Sequence, residues 1–249
     1  MMANFLIAPD FPPEHFAGWH LLNTSIQRHS RSGLHLLTPS SAAEQNEMIA
    51  QDIVDVIYAN PFDAAKLVRE KGYLPVVKPV GKSDEMVIAS GADSAIKKLS
   101  DLKPGMKIAL TNNYDVRLIG LRLLEAVDLT EGDLEWVEVQ SFQAAARMAI
   151  RGEVDAAFFV SSAYHSLSRL TLERLHLLIE SHLADVIHVI LMHPRKADRV
   201  PLFQQVFVEM KNTEGGQRIL DELHMGQGFE ILTQEDTEFM IDLMDTLLD

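Results

Sequence analysis

The chain has 249 residues, of which 47% are hydrophobic and 23% charged, a composition typical of a globular protein with one or two domains. Its 36 acidic and 22 basic residues give a formal net charge of −14, which argues against nucleic acid or an anionic membrane surface as a partner. The absence of cysteine excludes disulfides, thiolate catalysis and Cys-based metal sites.

The first third of the chain predicts strands that alternate with helices. Apolar runs indicate strands at residues 5–8, 35–38, 54–58 and 74–80. Helix signals stand between them: Pro13, the pair Ser41 and Glu44 at capping-box spacing, and Asn60-Pro61, whose helix should end at Gly72. This alternation favours a mainly parallel sheet with right-handed crossovers.

A second strand–helix series occupies the middle of the chain. Strands are expected at 86–90, 107–110, 135–139, 154–160, 175–179 and 186–192, and Ser141 should cap a helix that ends at Gly152. The last part of the chain predicts helices at 201–211, 215–223 and 234–248 and a turn at 226–229. The two series are joined only near residues 80–88 and 186–192, and two crossings of this kind describe a hinge between two lobes.

Several short motifs occur together in one order along the chain. They are Tyr58-Ala59-Asn60-Pro61, Gly72-Tyr73-Leu74-Pro75, the stretches 99–105 and 151–157, and the tail 210–229 with Gly215-Gly216 and Gly228-Phe229. From residue 4 to about 245 the chain thereby resembles the phosphate/phosphite/phosphonate substrate-binding proteins of ABC transporters, which have a type 2 periplasmic-binding fold. No catalytic residue is expected in such a protein.

This resemblance implies an α/β protein of two lobes with the ligand in the cleft between them. Lobe one would be discontinuous, 1–86 plus 188–249, and lobe two would be 87–187. The function implied is the binding of a small polar solute, most plausibly an oxyanion such as phosphate or a phosphonate, by hinge closure, for uptake or for sensing.

Ligands of open α/β sheets bind beyond the carboxyl ends of the strands, which singles out four loops. The candidate ligand residues in them are Asp10; Tyr58 and Asn60; Thr111, Asn112, Asn113 and Tyr114; and Ser161. The loop at Thr111 leads into a helix whose free N–H groups and positive dipole end favour an anion. The alternative is that Asn113 or Asp115 only caps this helix.

Two further candidates come from the resemblance. Asp155 matches an acidic position of the family, which implies either contact with a ligand amine or a part in packing the strand. Ser141 opens a helix where relatives have a polar residue followed by His, but Phe142 follows here, so Ser141 is either a ligand contact or a cap. The candidate loops contain no Lys or Arg, which predicts an oxyanion held mostly by neutral donors.

Enzymatic hypotheses find little support in the residues. The ten histidines form no i, i+4 pair with a nearby Glu, and nucleophile-elbow, phosphate-loop and dinucleotide-binding motifs are absent. No cofactor and no metal are therefore predicted. Two alternatives remain open: an enzyme of a cofactor-precursor pathway built on the same fold, and a cytoplasmic ligand-sensing module that is read by a signalling protein.

The expected partners are a small anionic ligand and either an ABC transporter permease or a signalling protein, with no nucleic acid. The N-terminal residues show neither a basic segment followed by an apolar run nor any stretch long enough for a membrane helix, so membrane insertion is not expected. The sequence as it stands predicts a cytoplasmic protein, or a periplasmic one if an export signal was removed.

Overall fold

A computed structural model describes residues 2–9, 11, 15–82, 85–181 and 186–248, with the side chains of Tyr114, Asp115, Leu247 and Leu248 left out. The chain divides into two compact units. Unit one consists of Met1–Ser83 together with Ile187–Thr246, and unit two contains Asp84–Val186.

The strands and helices alternate over most of the chain. The N-terminal segment contains β1 (Ala3–Ile7), α1 (Phe16–Ser30), β2 (Leu34–Leu37), α2 (Ala42–Ala50), β3 (Val56–Ala59), α3 (Pro61–Lys71) and β4 (Leu74–Pro79). The middle segment contains β5 (Met86–Gly91), β6 (Lys107–Thr111), α4 (Tyr114–Glu125), β7 (Glu135–Val139), α5 (Phe142–Arg151), β8 (Ala156–Val160), α6 (Ser161–His165), α7 (Arg169–Leu172) and β9 (Leu175–Glu180). The C-terminal segment contains β10 (Val189–Met192), α8 (Val200–Glu209), α9 (Glu214–Glu222), β11 (Phe229–Ile231) and α10 (Gln234–Leu248).

Unit one is built on a six-stranded sheet in the order β11-β4-β10-β3-β1-β2. Strands β1, β2 and β3 pair in parallel, and β10 lies antiparallel between β3 and β4. The sheet is therefore mixed: β1 to β4 share one direction, and β10 and β11 run against it. The sequence predicted only a turn at 226–229, but Phe229 opens the short strand β11 because its backbone pairs with Pro79 at the end of β4.

Unit two is built on a five-stranded sheet in the order β7-β6-β8-β5-β9. Strand β6 pairs in parallel with β7 and β8, and β5 lies antiparallel between β8 and β9. The antiparallel strands β5 and β10 are each the first strand after the chain passes from one unit to the other. The remaining strands of this sheet follow the parallel strand–helix pattern that the sequence predicts.

Side chains on both faces of each sheet are buried. In unit one, α1, α8 and α9 pack Trp19, Leu22, Phe207 and Leu220 against Phe5, Ile7 and Tyr58 of the sheet. In unit two, α5 packs Ala145, Ala146 and Ala149 against Val87, Ala109 and Phe159. The small alanine side chains allow this helix to approach the sheet closely.

The predicted helix ends at Ser41, Asn60, Gly72, Ser141 and Gly152 are confirmed, whereas Pro13 lies outside the described residues. The side chains of Ser41, Asn60 and Ser141 each accept a hydrogen bond from a backbone N–H three residues later, at 3.2, 2.8 and 3.2 Å. Gly72 and Gly152 end α3 and α5 in the left-handed conformation, with φ of 67° and 68°. These helix ends could be predicted because a cap depends only on neighbouring residues.

Candidate ligand-binding site

Three of the predicted ligand residues lie at the same edge of the unit-two sheet. Thr111 ends β6 and pairs in register with Val139, which ends the parallel strand β7. Ser141 follows β7 by two residues, and Ser161 begins α6 directly after β8. Because β6, β7 and β8 run parallel, their carboxyl ends bring Thr111, Ser141 and Ser161 to one edge.

The loop between β6 and α4 makes a tight bend at this edge. The N–H of Asn113 donates to the carbonyl of Thr111 at 2.7 Å, and the Asn113 side chain accepts from the N–H of Val116 at 3.1 Å. Asn113 therefore is the N-cap of α4. The side chain of Asn112 is exposed and, within the described chain, has no hydrogen-bond partner. Tyr114 opens α4, and its side chain lies outside the described residues.

The two serines of the edge already have protein partners. The Ser141 hydroxyl accepts from the N–H of Ala144, so it caps α5, as one of the two sequence interpretations holds. Ser161 donates its backbone N–H to the carbonyl of Glu85 at 2.7 Å, and its hydroxyl donates to the carboxylate of Glu180. Ser161 therefore ties α6 to the neighbouring strands β5 and β9.

Two carboxylates at this edge were missed by the sequence reasoning. Glu180 ends β9 and Glu85 precedes the antiparallel strand β5, so both meet the carboxyl end of β8. His165 Nε2 lies 3.0 Å from Glu180 Oε1, and the Ser181 hydroxyl donates to Glu85. Burial raises the pKa of the Tyr164 hydroxyl, and the charge of Glu180 raises it further. Ligands of open α/β sheets bind beyond the carboxyl ends of the strands, and Glu180 directly follows the predicted strand at 175–179. The same reasoning that selected the other loops could therefore have found it.

Asp155 lies elsewhere. Its carboxylate accepts the N–H of Lys107 at 2.8 Å, at the amino end of β6 and β8. Thr111 is at the other end of β6, and four residues of strand separate the two positions by about 13 Å. The parallel pairing of β6 and β8 therefore puts Asp155 at the opposite edge of the sheet, and we leave it out of the site.

The carboxyl edge of the unit-one sheet carries an aromatic stack. The ring of Tyr58 in β3 is 3% exposed and lies 4.7 Å from the ring of Trp19 and 5.0 Å from that of His188, centroid to centroid. The ring planes of Tyr58 and His188 are nearly parallel, at 25°. His188 was not among the predicted residues; it reaches this edge because β10 runs antiparallel to β3. Asp10, the candidate after β1, lies outside the described residues.

Asn60, at the same edge, is occupied by its own helix. Its side-chain oxygen accepts the N–H of Asp63 at 2.8 Å, and its Nδ2 donates to the Asp63 carboxylate at 3.0 Å. Gln45 donates to the same carboxylate at 2.6 Å. Asn60 is 8% exposed and serves as the N-cap of α3, so we do not include it among the proposed ligand contacts.

The basic side chains closest to the candidate loops along the chain are not placed to bind a ligand there. The guanidinium of Arg117, one turn into α4, pairs with Glu131 and lies 5.3 Å from the centre of the Trp136 ring. A cavity of about 200 Å³ lined by Arg195, Lys196 and Arg199 lies at the amino edge of the unit-one sheet, away from the predicted loops. In the described residues, no group of three or more His, Asp or Glu side chains is placed to hold a metal ion.

Comparison with known proteins places the chain in a family. The family model of the phosphonate periplasmic substrate-binding proteins of ABC transporters matches residues 5–237. A search of curated protein sequences finds no significant match.

Solved structures with the same fold are numerous, and the three described next are distant from this chain in sequence. PhnD1 from Prochlorococcus marinus, solved with methylphosphonate, has a TM-score of 0.80 at 10% identity, covering 99% of this chain and 98% of that one. XAC2383 from Xanthomonas citri, solved with chloride, has a TM-score of 0.79 at 15% identity, with coverage of 100% and 99%. A phosphonate-transporter binding protein from Pseudomonas aeruginosa has a TM-score of 0.74 at 13% identity, with coverage of 100% and 89%.

The chain consists of two α/β units, each built on one mixed sheet flanked by helices, and this is the architecture of the periplasmic binding proteins. The chain belongs to the family of phosphonate periplasmic substrate-binding proteins of ABC transporters. Members of this family bind substrates and do not convert them, so the enzyme alternative is set aside. In the part of the chain that the structure describes, none of the helices has the length and apolar character needed to span a membrane.

Proposed function

We propose that the protein binds one small oxyanion, phosphate or an organophosphonate, through the carboxyl edges of its two sheets, and closes about its two chain crossings to retain it. The observation that carries this proposal is the edge of the unit-two sheet, where Thr111, Asn112 and Asn113 stand at the N-terminus of α4. The family description, which names phosphonate as the substrate, supports the same ligand class.

The N-terminus of α4 supplies the positive potential that the loops themselves lack. Asn113 satisfies the N–H groups of Val116 and Arg117, while the backbone N–H groups of Tyr114 and Asp115 have no i−4 partner within the helix. Together with the helix dipole these groups favour an anion without a formal positive charge. The free amide of Asn112 and the hydroxyl of Thr111 would add two neutral donors.

The carboxylate of Glu180 restricts which oxyanion fits. An ionised carboxylate repels a fully ionised anion, so binding beside it requires a ligand that donates an O–H or N–H hydrogen. Monohydrogen phosphate and protonated or amino-substituted phosphonates carry such a hydrogen, whereas sulfate and unsubstituted alkanesulfonates do not. We infer that the site selects the former class, with the Glu180 carboxylate as the acceptor of that hydrogen.

Unit one would complete the site with Tyr58 and His188. The Tyr58 ring lies at the end of β3 against His188, and both can donate to an anion once a ligand lies at this edge. A ligand that contacts both units binds the closed form better and shifts the population towards it. Asp10 and Tyr114 remain candidates on sequence grounds alone.

The proposed partner is an ABC transporter permease, and the proposed place of action is the periplasm. The family description supports both, because it assigns the substrate-binding protein of this transporter to that compartment. A cytoplasmic sensing module read by a signalling protein is the alternative, and cell fractionation of the tagged protein separates the two.

The test is a binding panel of phosphate, phosphite, methylphosphonate, an aminoalkylphosphonate, sulfate and an alkanesulfonate. Calorimetry and thermal unfolding should show binding of the hydrogen-bearing phosphorus compounds, with about 4 kcal/mol of stabilisation at a ligand concentration 1,000 times the Kd. The variant Glu180→Gln should lose the preference for phosphate over sulfate. A wild-type protein that none of the six compounds stabilises would refute the proposed ligand class.

A further inference from the structure

Trp19 contains a buried donor that the packing of unit one leaves unused. The residue lies in the first turn of α1 and is 1% exposed. Within the described part of the chain its indole Nε1–H has no hydrogen-bond partner. Burying an unpaired donor is unfavourable, and native proteins contain few such groups. A phenylalanine would fill a core position without that cost, so the N–H itself requires an explanation.

The indole lies beneath the edge that the proposed function assigns to the ligand. Its ring is 4.7 Å from that of Tyr58, near the carboxyl end of β3, and 6.3 Å from that of Phe11, in the segment after β1. Helix α1 itself follows β1, so its first turn is at the carboxyl end of that strand. Trp19 is therefore flanked by Phe11, in the segment after β1, and by Tyr58, near the carboxyl end of β3.

We propose that the Trp19 indole N–H is a ligand-binding donor, which gives a hydrogen bond to one oxygen of the bound oxyanion. A rotamer change of the Tyr58 or Phe11 ring would uncover it, and side-chain rearrangements of this size are common on binding. The inference rests on the proposed function and adds a unit-one residue that determines affinity. A neutral donor in a dry environment also suits the candidate loops, which contain no Lys or Arg.

A competing explanation lies one helical turn further along α1. The Oδ1 atom of Asn23 is also buried and, among the described residues, lacks a partner. One buried water between Trp19 and Asn23 would satisfy both groups. In that case the indole N–H stabilises unit one and has no part in ligand binding.

The first test follows the indole N–H directly. The chain has two tryptophans, so its ¹⁵N spectrum has two indole signals, which the variant Trp136→Phe assigns. Titration of the wild-type protein with phosphate and with methylphosphonate should move the Trp19 signal downfield. The Trp136 N–H already donates to the carbonyl of Glu131 at 3.0 Å, so its signal should stay in place.

The second test compares two core variants of α1. Trp19→Phe should weaken the binding of phosphate by about 10- to 100-fold, the loss expected for a hydrogen bond to a charged group. Leu22→Ala removes buried volume from the same helix and the same core without removing a donor, and it should leave the affinity within about twofold of wild type.

The outcomes separate this inference from the proposed function. An equal loss of affinity in both variants, an unchanged affinity in Trp19→Phe, or a stationary Trp19 signal in a protein that binds phosphate would overturn the inference alone. A wild-type protein that binds no oxyanion would overturn both. If Trp19→Phe does not fold, the wild-type titration decides the question.

Discussion

Asp55 and Asp155 make the same hydrogen bond in the two units. Asp55 precedes β3 and accepts the backbone N–H of Asn4 at 2.8 Å; Asp155 precedes β8 and accepts that of Lys107 at 2.8 Å. Each of these aspartates also donates its own backbone N–H to the carbonyl of the same partner residue. Both carboxylates thus fix the amino ends of a parallel strand pair whose carboxyl ends lie at the proposed ligand edge.

This relationship predicts a structural role for Asp155. Replacing it by alanine leaves the Lys107 N–H without its side-chain acceptor, which should lower the free energy of unfolding by about 1–2 kcal/mol. Ligand affinity should stay at the wild-type value because the residue lies at the other end of β8. Urea unfolding and calorimetry of Asp155→Ala measure the two quantities.

The equivalent variant in unit one provides the comparison. The Asp55 carboxylate is also paired with Arg195 at 2.7 Å and is 9% exposed, so Asp55→Ala should lose more stability than Asp155→Ala. If Asp155→Ala instead weakens the binding of a ligand amine at unchanged stability, then the sequence-based assignment of Asp155 as a ligand residue is correct.

The two asparagines of the loop after β6 should respond differently to alanine. Asn113→Ala removes the cap of α4 and should lower stability by about 1 kcal/mol. Asn112→Ala removes an exposed amide, so stability should not change while the affinity for the oxyanion falls. A loss of stability in Asn112→Ala, or an unchanged affinity in that variant, would contradict the role proposed for this loop.

Gly120 allows α4 to approach the sheet of unit two. A Cβ atom built at this position would lie 2.1 Å from Cε2 of Phe158, whose side chain is fully buried. Gly120→Ala should therefore lower the free energy of unfolding by about 1–2 kcal/mol, although alanine is the better helix former. At Gly132 a Cβ atom would meet nothing within 4 Å, so Gly132→Ala should stay within about 0.5 kcal/mol of wild type. Thermal unfolding of the pair tests the difference.

Asp236 should make the stability of unit one depend on acid. A hydrogen bond from the Thr233 hydroxyl, with further help from Lys78, lowers the pKa of Asp236 from 3.8 to about 2. The ionised Asp236 carboxylate therefore contributes its full stabilisation above pH 3.8, and this contribution is lost as the pH falls towards about 2. In urea unfolding at a series of pH values, wild type should exceed Asp236→Asn in stability near neutral pH, and the gap should close across that window. A gap that is constant with pH would show that the carboxylate charge is not responsible.

The sequence allowed more of the candidate residues to be placed together on unit two than on unit one, and their contact with a ligand stays a prediction. Thr111, Ser141 and Ser161 could be found because each follows an apolar run that is recognisable as a strand. Their common edge follows from parallel pairing, which the strand–helix alternation indicates. Glu85 and His188 could not be placed in the same way, since they reach the proposed ligand edges through the antiparallel strands β5 and β10.

By itself, the sequence determined the order of the elements and the helix caps at Ser41, Asn60 and Ser141, because these depend on neighbouring residues. It also determined the family, because the family motifs occur in a fixed order along the chain. The tertiary structure alone decided the directions of β5 and β10, the strand β11, the placement of Asp155 away from Thr111, and the unpaired donor of Trp19. Strand direction and the satisfaction of buried polar groups depend on partners distant in the chain, and no local pattern specifies such partners.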